Sequence, residues 1–278
     1  MSLRNSNPVR QQTAIVRQEL RRHRVVSREA WVQARKALLE EEKALTYERD
    51  RINAKRRELP WVRVEKNYIF DGAKGRVTLA DLFEGRSQLI VQHFMFGPEW
   101  PEGCVGCSFL SDHIDGARVH LENHDVTVAA VSRALWPKIQ AFQRRMGWTF
   151  TWVSSYHSEF NFDYHVSYKQ EDRSRGVITY NYEERPFQID ELGGTSVFYK
   201  DEEGLIYHTY SAYSRGDEQL LNTYNFLDLT PKGRNENGPG YDLTDWVRHH
   251  DRYEDKSKAG HCGCGGCEPR NQEEEGQP

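Results

Sequence analysis

The chain of 278 residues has no apolar run near the roughly 20 residues that a membrane-spanning helix needs. Its N-terminal arginines have no apolar stretch behind them, so a signal peptide is not expected. Neither charge predominates. The 38 Lys and Arg against 42 Asp and Glu leave a net charge of −4, which gives no reason to expect nucleic acid. Cysteine is scarce and unevenly placed. Five residues fall into two groups, 104/107 and 262/264/267. A cytoplasmic location is expected, where thiols are kept reduced, so stable structural disulfides are not. Clustering of this kind points to chemistry or metal rather than to scattered core residues. What remains suffices for a core: 37% of the residues are hydrophobic and 12% aromatic. The length suits one domain with appendages or two small domains.

The chain is organised around Ser87–Cys107. An apolar run of strand length, Leu89-Ile90-Val91-Gln92-His93-Phe94, enters a Gly/Pro-rich loop that ends in Cys104-Val105-Gly106-Cys107. Ser108-Phe109-Leu110-Ser111 follows with helical character. Two cysteines therefore stand where a buried strand passes into the first turn of a helix. Free N–H groups and the helix dipole favour negative charge there, and a thiolate is such a charge. The two-residue gap lets the second sulfur reach the first.

Upstream, residues 1–59 read as a helical arm, with Ser27 as N-cap and Glu29 in the first turn. Trp31, Leu38, Leu45, Ile52 and Leu59 recur every seven residues, but Glu41, Glu48 and Lys55 occupy the second row that a coiled coil would need. Such an arm lies on its own body or on a second copy, which makes a homodimer through the arm one expected partner. The body, 60–255, begins with extended segments around Val62 and Tyr68-Ile69-Phe70. A short helix over Val77–Phe83 capped by Thr78 is expected next. Helices are expected to Asn123, from Pro137 to Gly147, and around Gln219–Tyr224, with strands at Asp125–Ser132 and Trp148–Val153. Strand, helix, strand, helix, strand predicts a parallel unit. Residues 156–186, rich in Tyr and Phe, read as an insertion of short strands or irregular structure that roofs the cysteines or simply packs. The stretches 194–199 and 205–211 around Asp201-Glu202-Glu203-Gly204 predict a hairpin. Residues 256–278 read as a disordered Cys/Gly-rich and acidic tail.

The fold class expected is therefore α/β. The βαβ unit, the following hairpin and the Cys-x-x-Cys after the first parallel strand resemble a thioredoxin-like fold, a central mixed sheet flanked by helices. The lead-in "GRVTLADLFEGRSQLIVQHF" is similar to that of peroxiredoxins and membrane-tethered thiol reductases. More closely, "FMFGPEWPEGCVGCSFLSDHIDG", "HDVTVAAVSRA", "KIQAFQRRMGW", "SVFYKDEEGLIYHTYSAYSRG" and "YNFLDLTPKGRNE" resemble the bacterial thioredoxin-like family named domain of unknown function 899. The resemblance covers roughly residues 25–255 and implies a fold and a site motif, not a substrate. One departure stands out. Thioredoxin-like proteins usually place a cis-proline opposite the cysteine pair, and this family would be expected to carry proline at Gly193. Here the sequence is Leu192-Gly193-Gly194-Thr195, which puts docking beside the cysteines by backbone pairing in question.

For the chemistry, Cys104 is expected as the attacking thiolate and Cys107 as the resolving thiol of a thiol–disulfide oxidoreductase, acting on a protein or small-molecule disulfide or thiol with no cofactor required. Val105-Gly106 replaces the Gly-Pro of ordinary thioredoxins. A thiol peroxidase is the weaker enzyme reading, because Pro101 stands where peroxidases carry Thr. The alternative is a non-catalytic module that binds zinc, copper or a protein partner, with Cys104 and Cys107 as half a tetrahedral site and His93, His113 or His208 nearby. Each of these histidines also has an ordinary packed reading, as has the cysteine pair. Separately, His261, Cys262, Cys264 and Cys267 can surround zinc or copper(I), or relay electrons to the pair.

Overall fold

The structure, a computed structural model, describes residues 23–234 and 246–253. Ser27 is extended, and its hydroxyl accepts the Ala30 N–H at 3.3 Å, which starts helix α1, Arg28–Arg57. At 1.5 Å per residue the helix is about 45 Å long. Glu29 in its first turn and Lys55, Arg56 and Arg57 in its last complement the dipole. No α1 side chain is buried, and Trp31, Leu38 and Leu45 are 49%, 51% and 71% exposed. The helix reaches its own body near its C-terminal end, where the Arg56 guanidinium lies 5.2 Å over the Tyr210 ring. The body leaves the start of the seven-residue stripe open.

Ten strands follow. They are β1 (Val62–Arg63), β2 (Ile69–Gly72), β3 (Gly75–Thr78), β4 (Gln88–His93), β5 (Val126–Ser132), β6 (Thr151–Ser154), β7 (Val177–Tyr180), β8 (Glu183–Pro186), β9 (Gly194–Lys200) and β10 (Ile206–Tyr213). Between them lie α2 (Val105–Asn123), α3 (Trp136–Met146), α4 (Phe160–Asp163) and α5 (Gln170–Arg175), with α6 (Asn222–Asp228) after β10. Eight strands form one sheet in the order β1-β10-β9-β4-β5-β6-β2-β3, and β7-β8 is a separate hairpin. The pairs β4–β5 and β5–β6 are parallel, with Gln88 beside Val126 and Ala129 beside Thr151. Strand β9 runs antiparallel to both β4 and β10. The order β10-β9-β4-β5, with a helix after β4, is a thioredoxin-like fold within an α/β chain.

Strand β4 is central because both of its faces are covered, which is why its sequence is apolar almost throughout. Leu89 and Val91 join Phe70, Phe160, Tyr164 and Phe198 on one face. On the other, Phe94 beyond the strand end joins Ile139, Phe142, Trp148 and Trp152. Pro137 in the first turn of α3 and left-handed Gly147 at its end (φ 69°) bound that helix as read from sequence.

Three expectations are corrected. Val77 and Thr78 belong to β3, paired with Phe70 and Ile69, and only a 3-10 turn, Asp81–Phe83, follows. Thr78 does cap that turn, its hydroxyl donating to the Asp81 carboxylate at 2.7 Å and accepting the Asp81 N–H at 3.3 Å, but it does so from the end of a strand. Strand β6 begins at Thr151, later than expected, because Asp115 accepts the Thr149 and Phe150 N–H groups and holds them out of the sheet. The helix placed at Gln219–Tyr224 is a 3-10 segment, Ser214–Leu220, followed by α6. The stretch 156–186 contains α4, α5 and the β7-β8 hairpin.

Candidate active site

The loop from Phe94 to Gly103 folds back onto the end of β4. The Cys104 N–H donates to Met95 O at 3.0 Å, and the Met95 N–H donates to Cys107 Sγ at 3.4 Å. Cys104 is the N-cap of α2, and its sulfur accepts the Cys107 N–H at 3.5 Å. A thiol thus takes the place that a Ser or Asp side chain fills in most helices, with the helix N-terminus directed at it. Neither cysteine is in a disulfide, and both are partly buried. The Cys107 thiol is pushed well up from its ordinary value, first by its hydrogen bond to Cys104 and then by burial. A thiol that holds its proton next to a second sulfur stabilises negative charge on that second sulfur.

Several groups fix this geometry. Gln92 donates to Cys107 O at 3.0 Å, and Ser111 donates to Gln92 at 2.8 Å. A Cβ on Gly103 would lie 2.7 Å from the Phe94 ring and 3.0 Å from the Phe142 ring, so glycine alone fits there. Arg252 binds the Glu102 carboxylate at 2.6 and 2.8 Å, Arg145 binds it at 3.0 Å, and His249 Nε2 lies 3.0 Å from Gly103 O. The segment 246–253 therefore clasps the two residues before Cys104, and Val247 packs with Phe109 and Tyr224 over α2.

The opposite wall is Leu192-Gly193. A Cβ on Gly193 would meet Cys107 Sγ at 3.7 Å and Met95 Sδ at 3.6 Å, so this glycine faces the sulfurs. It carries the position at which the resemblance expects proline. The backbone is pinned by other means. Tyr180 of the β7-β8 hairpin donates its hydroxyl to Gly193 O at 2.7 Å, and the Leu192 N–H donates to Val166 O at 2.8 Å. The aromatic insertion thus reaches the wall facing the cysteine pair.

Two carboxyl groups near the site were not singled out in the sequence. Gln92, Thr195 and Ala212 are cross-strand neighbours, so Thr195 shares the sheet face on which Gln92 holds Cys107. Asp217 lies against Thr195. Burial pushes its carboxyl up to about 7 against the opposing Thr195 hydroxyl, and its charge is one of those that raise Cys107. Its Oδ1 is buried with no hydrogen-bond partner among the described residues. Glu191 is 2% exposed and accepts from Ser167 at 2.5 Å and from Arg133 at 3.4 Å. Burial again dominates and raises it to about 7. The sequence signal for either was weak, because an acid with a second acid beside it, as in Asp190-Glu191 and Asp217-Glu218, normally reads as solvated.

The Glu191 shift has a stability consequence. Its folded value lies above its unfolded value, so its contribution is full below about 4.5 and is lost as pH rises through about 7. Relative to wild type, the Glu191→Gln variant should gain on the order of 3 kcal/mol between pH 4 and pH 8. Urea unfolding of both proteins at the two pH values measures this. A difference that stays constant with pH would show that the buried carboxyl is not held protonated.

The histidines weighed as ligands are not gathered at the sulfurs. His93 points to the far face of the sheet, 2.7 Å from Ser196 Oγ, and stacks on Tyr164. His113 is 2.8 Å from Thr223 Oγ1, and His208 is 2.7 Å from Ser211 Oγ. Among the described residues no group of three or more His, Cys, Asp or Glu is placed to hold a metal ion. His261, Cys262, Cys264 and Cys267 lie outside the described residues. No helix among the described residues is long and apolar enough to cross a membrane.

Compared with known proteins, residues 20–253 match the model of a family described as "Bacterial protein of unknown function (DUF899)". No curated protein matches the chain. Among solved structures, the chain is similar to a PrxQ from Xylella fastidiosa, with TM-score 0.39 and 15% identity over 60% of this chain and 94% of that one. It is also similar to the peroxidoxin BcpB from Mycobacterium tuberculosis, with TM-score 0.38 and 11% identity over 59% and 95%. A third is peroxiredoxin Q from Xanthomonas campestris, with TM-score 0.35 and 12% identity over 56% and 87%.

Proposed function

Because this chain belongs to the bacterial family of unknown function DUF899, whose name leaves the chemistry open, we propose that Cys104 and Cys107 form the site of a thiol–disulfide oxidoreductase. The observation that carries this reading is the position of Cys104 Sγ. It caps a helix of 19 residues and accepts the Cys107 N–H, with the Cys107 thiol hydrogen-bonded beside it.

Cys104 attacks one sulfur of a substrate disulfide as a thiolate. The substrate S–S bond breaks, the departing sulfur takes up a proton, and a mixed disulfide remains on Cys104. Cys107 then gives up its proton and attacks Cys104 Sγ. The Cys104–Cys107 bond forms as the second substrate thiol leaves. The two protein thiols are oxidised and one disulfide is reduced, and an external dithiol reverses the change. Asp217, in the 3-10 segment against Thr195, is the group we assign to take the Cys107 proton, because a buried carboxyl near neutrality accepts and returns protons at the pH of the reaction. The substrate is a protein or small-molecule disulfide in a cytoplasmic setting, and the reaction draws only on the two sulfurs and a proton acceptor.

The test is the pH dependence of Cys104 alkylation in reduced protein, followed by mass spectrometry, with Cys107→Ser as a control. The midpoint should fall well below the ordinary value of about 8.5, and the wild-type chain should form a reversible 104–107 disulfide. An unshifted midpoint with no such disulfide would overturn the proposal. Zinc or copper bound to the pair in the purified protein would favour a non-catalytic module instead.

A further inference from the structure

The loop that carries the cysteines has a second side. There a cavity of about 470 Å³ is lined by Trp100, Arg133, Tyr156, Arg173, Asp190 and Glu191, among others. Its charges come in opposed pairs. Arg133 lies 3.4 Å from Glu191, and Arg173 lies 2.9 Å from Asp190. The Arg133 guanidinium is held 4.4 Å over the Phe162 ring, yet its Nε is buried with no hydrogen-bond partner among the described residues. Glu191 is buried, with one oxygen taken by Ser167. Two guanidinium cations share one cavity with the Asp190 carboxylate and with the Glu191 carboxyl, which burial holds near its midpoint at neutral pH. The ionised inner pair is drawn out of water, which is costly unless a ligand adds to it.

The charge pattern selects the ligand. A phosphate or simple anion entering beside Arg133 and Arg173 would meet Glu191 and Asp190. A simple cation would meet the two guanidinium groups. An uncharged ligand would leave both ion pairs poorly solvated. A molecule with an ammonium and a carboxylate on one carbon satisfies both signs at once, the carboxylate toward the guanidinium donors and the ammonium toward the carboxylates. Trp100 and Tyr156 provide walls for its apolar atoms.

The cavity is joined to the sulfurs by two short segments. Glu191 is two residues from Gly193, which faces Cys107 Sγ. Gly97 abuts both Trp100 and the Glu191 side chain, where a Cβ would come within 3.0 and 3.3 Å, and it is two residues from Met95, the donor to Cys107 Sγ. Two extended residues span about 7 Å, within reach of a di- or tripeptide between its cysteine sulfur and its zwitterionic end. We infer that this cavity binds the amino-acid end of a small cysteine-containing peptide disulfide and presents its sulfur to Cys104. The inference rests on the oxidoreductase reading above and names its substrate class. The reaction balances as one reduced protein and one peptide disulfide giving the Cys104–Cys107 disulfide and two peptide thiols.

Two experiments separate this inference from the reading beneath it. In the first, reduced full-length protein is mixed with glutathione disulfide or with uncharged hydroxyethyl disulfide, and the second-order rates of thiol release are compared. The charged disulfide should react at least about tenfold faster, a preference of about one decade that corresponds to one favourable contact set. Arg133→Met should bring the ratio near one. Arg173→Met, at a more exposed position that is safe for folding, should lower it several-fold. Equal rates in wild type, or a ratio unmoved by both variants, would overturn the inference. In the second, the Cys104→Ser/Cys107→Ser chain is titrated calorimetrically with S-methylglutathione, which cannot exchange. Binding that weakens in Arg173→Met supports the ligand class even where both disulfides prove unreactive, a result that sinks the oxidoreductase reading alone. No binding at millimolar concentration removes the ligand class itself.

Discussion

Replacing Cys104 by serine is expected to reduce disulfide exchange to the background of free thiols, whereas replacing Cys107 is expected to let the first half of the reaction proceed and stop it there. The asymmetry follows from the two environments. Cys104 sits where the helix N-terminus and the Cys107 N–H stabilise a thiolate. Cys107 is held protonated by its partner and by burial, and its sulfur is occupied by the Met95 N–H. Cys107→Ser should therefore accumulate a stable mixed disulfide on Cys104, visible as one substrate adduct in the intact mass. Cys104→Ser should show none under the same conditions. Serine differs from cysteine by little volume, so both variants should unfold within about 1 kcal/mol of wild type. An adduct that collects on Cys107 in the Cys104→Ser chain would reverse the assigned roles.

The second large effect is expected at Gly194. It begins β9, paired with His93 on one side and Tyr213 on the other. A Cβ there would overlap Tyr213 Cδ1, lie 2.9 Å from Cε1 of the same ring and 3.0 Å from Ala212 O. The ring cannot yield, because Tyr213 is 7% exposed and its hydroxyl donates to Tyr164 O at 3.2 Å. Gly194→Ala should cost about 3 kcal/mol, the upper part of the range for overpacking a well-filled site. Gly193 next to it makes the control. Its Cβ would meet neighbours only at 3.6 Å and beyond, which is ordinary contact, and its φ is not in the left-handed region. Gly193→Ala should therefore stay within about 1 kcal/mol of wild type. Chemical unfolding of the two variants measures the contrast, and equal losses would contradict the packing described here.

The strand–loop–helix around Cys104 was legible because each signal is local: an apolar run, a Gly/Pro-rich loop, and cysteines where a helix starts. The same holds for α3, between Pro137 and Gly147, and for the β9-β10 hairpin around Gly204. Thr78 misled only as to length, because a hydroxyl three residues before an acid caps one 3-10 turn after a strand as well as it caps a helix. The Asp217 and Glu191 carboxyls were hidden because their character comes from burial under segments distant in sequence. The pinning of Gly193 was hidden for the same reason, since Tyr180 reaches it from the insertion. The stripe on α1 was legible as a period, but a period does not say what covers it, and the body does not cover its first turns.

The clasp on Glu102 and Gly103 has a consequence for the order of assembly. Arg252 is 150 residues from Glu102 along the chain, so this contact closes a very long loop. Closing it adds little to the entropic cost, which grows only with the logarithm of length, but it cannot be made early. A chain made from its N-terminus can pair β4 with β5 and seat α2 before residue 246 exists. Through that interval the loop before Cys104 lacks Arg252 and His249, and Phe109 lacks Val247. The surroundings of the two cysteines are therefore begun when β4, α2 and β5 meet and are closed only after residue 252 has been made, so a shorter nascent chain holds its two thiols in a looser setting than the folded protein does.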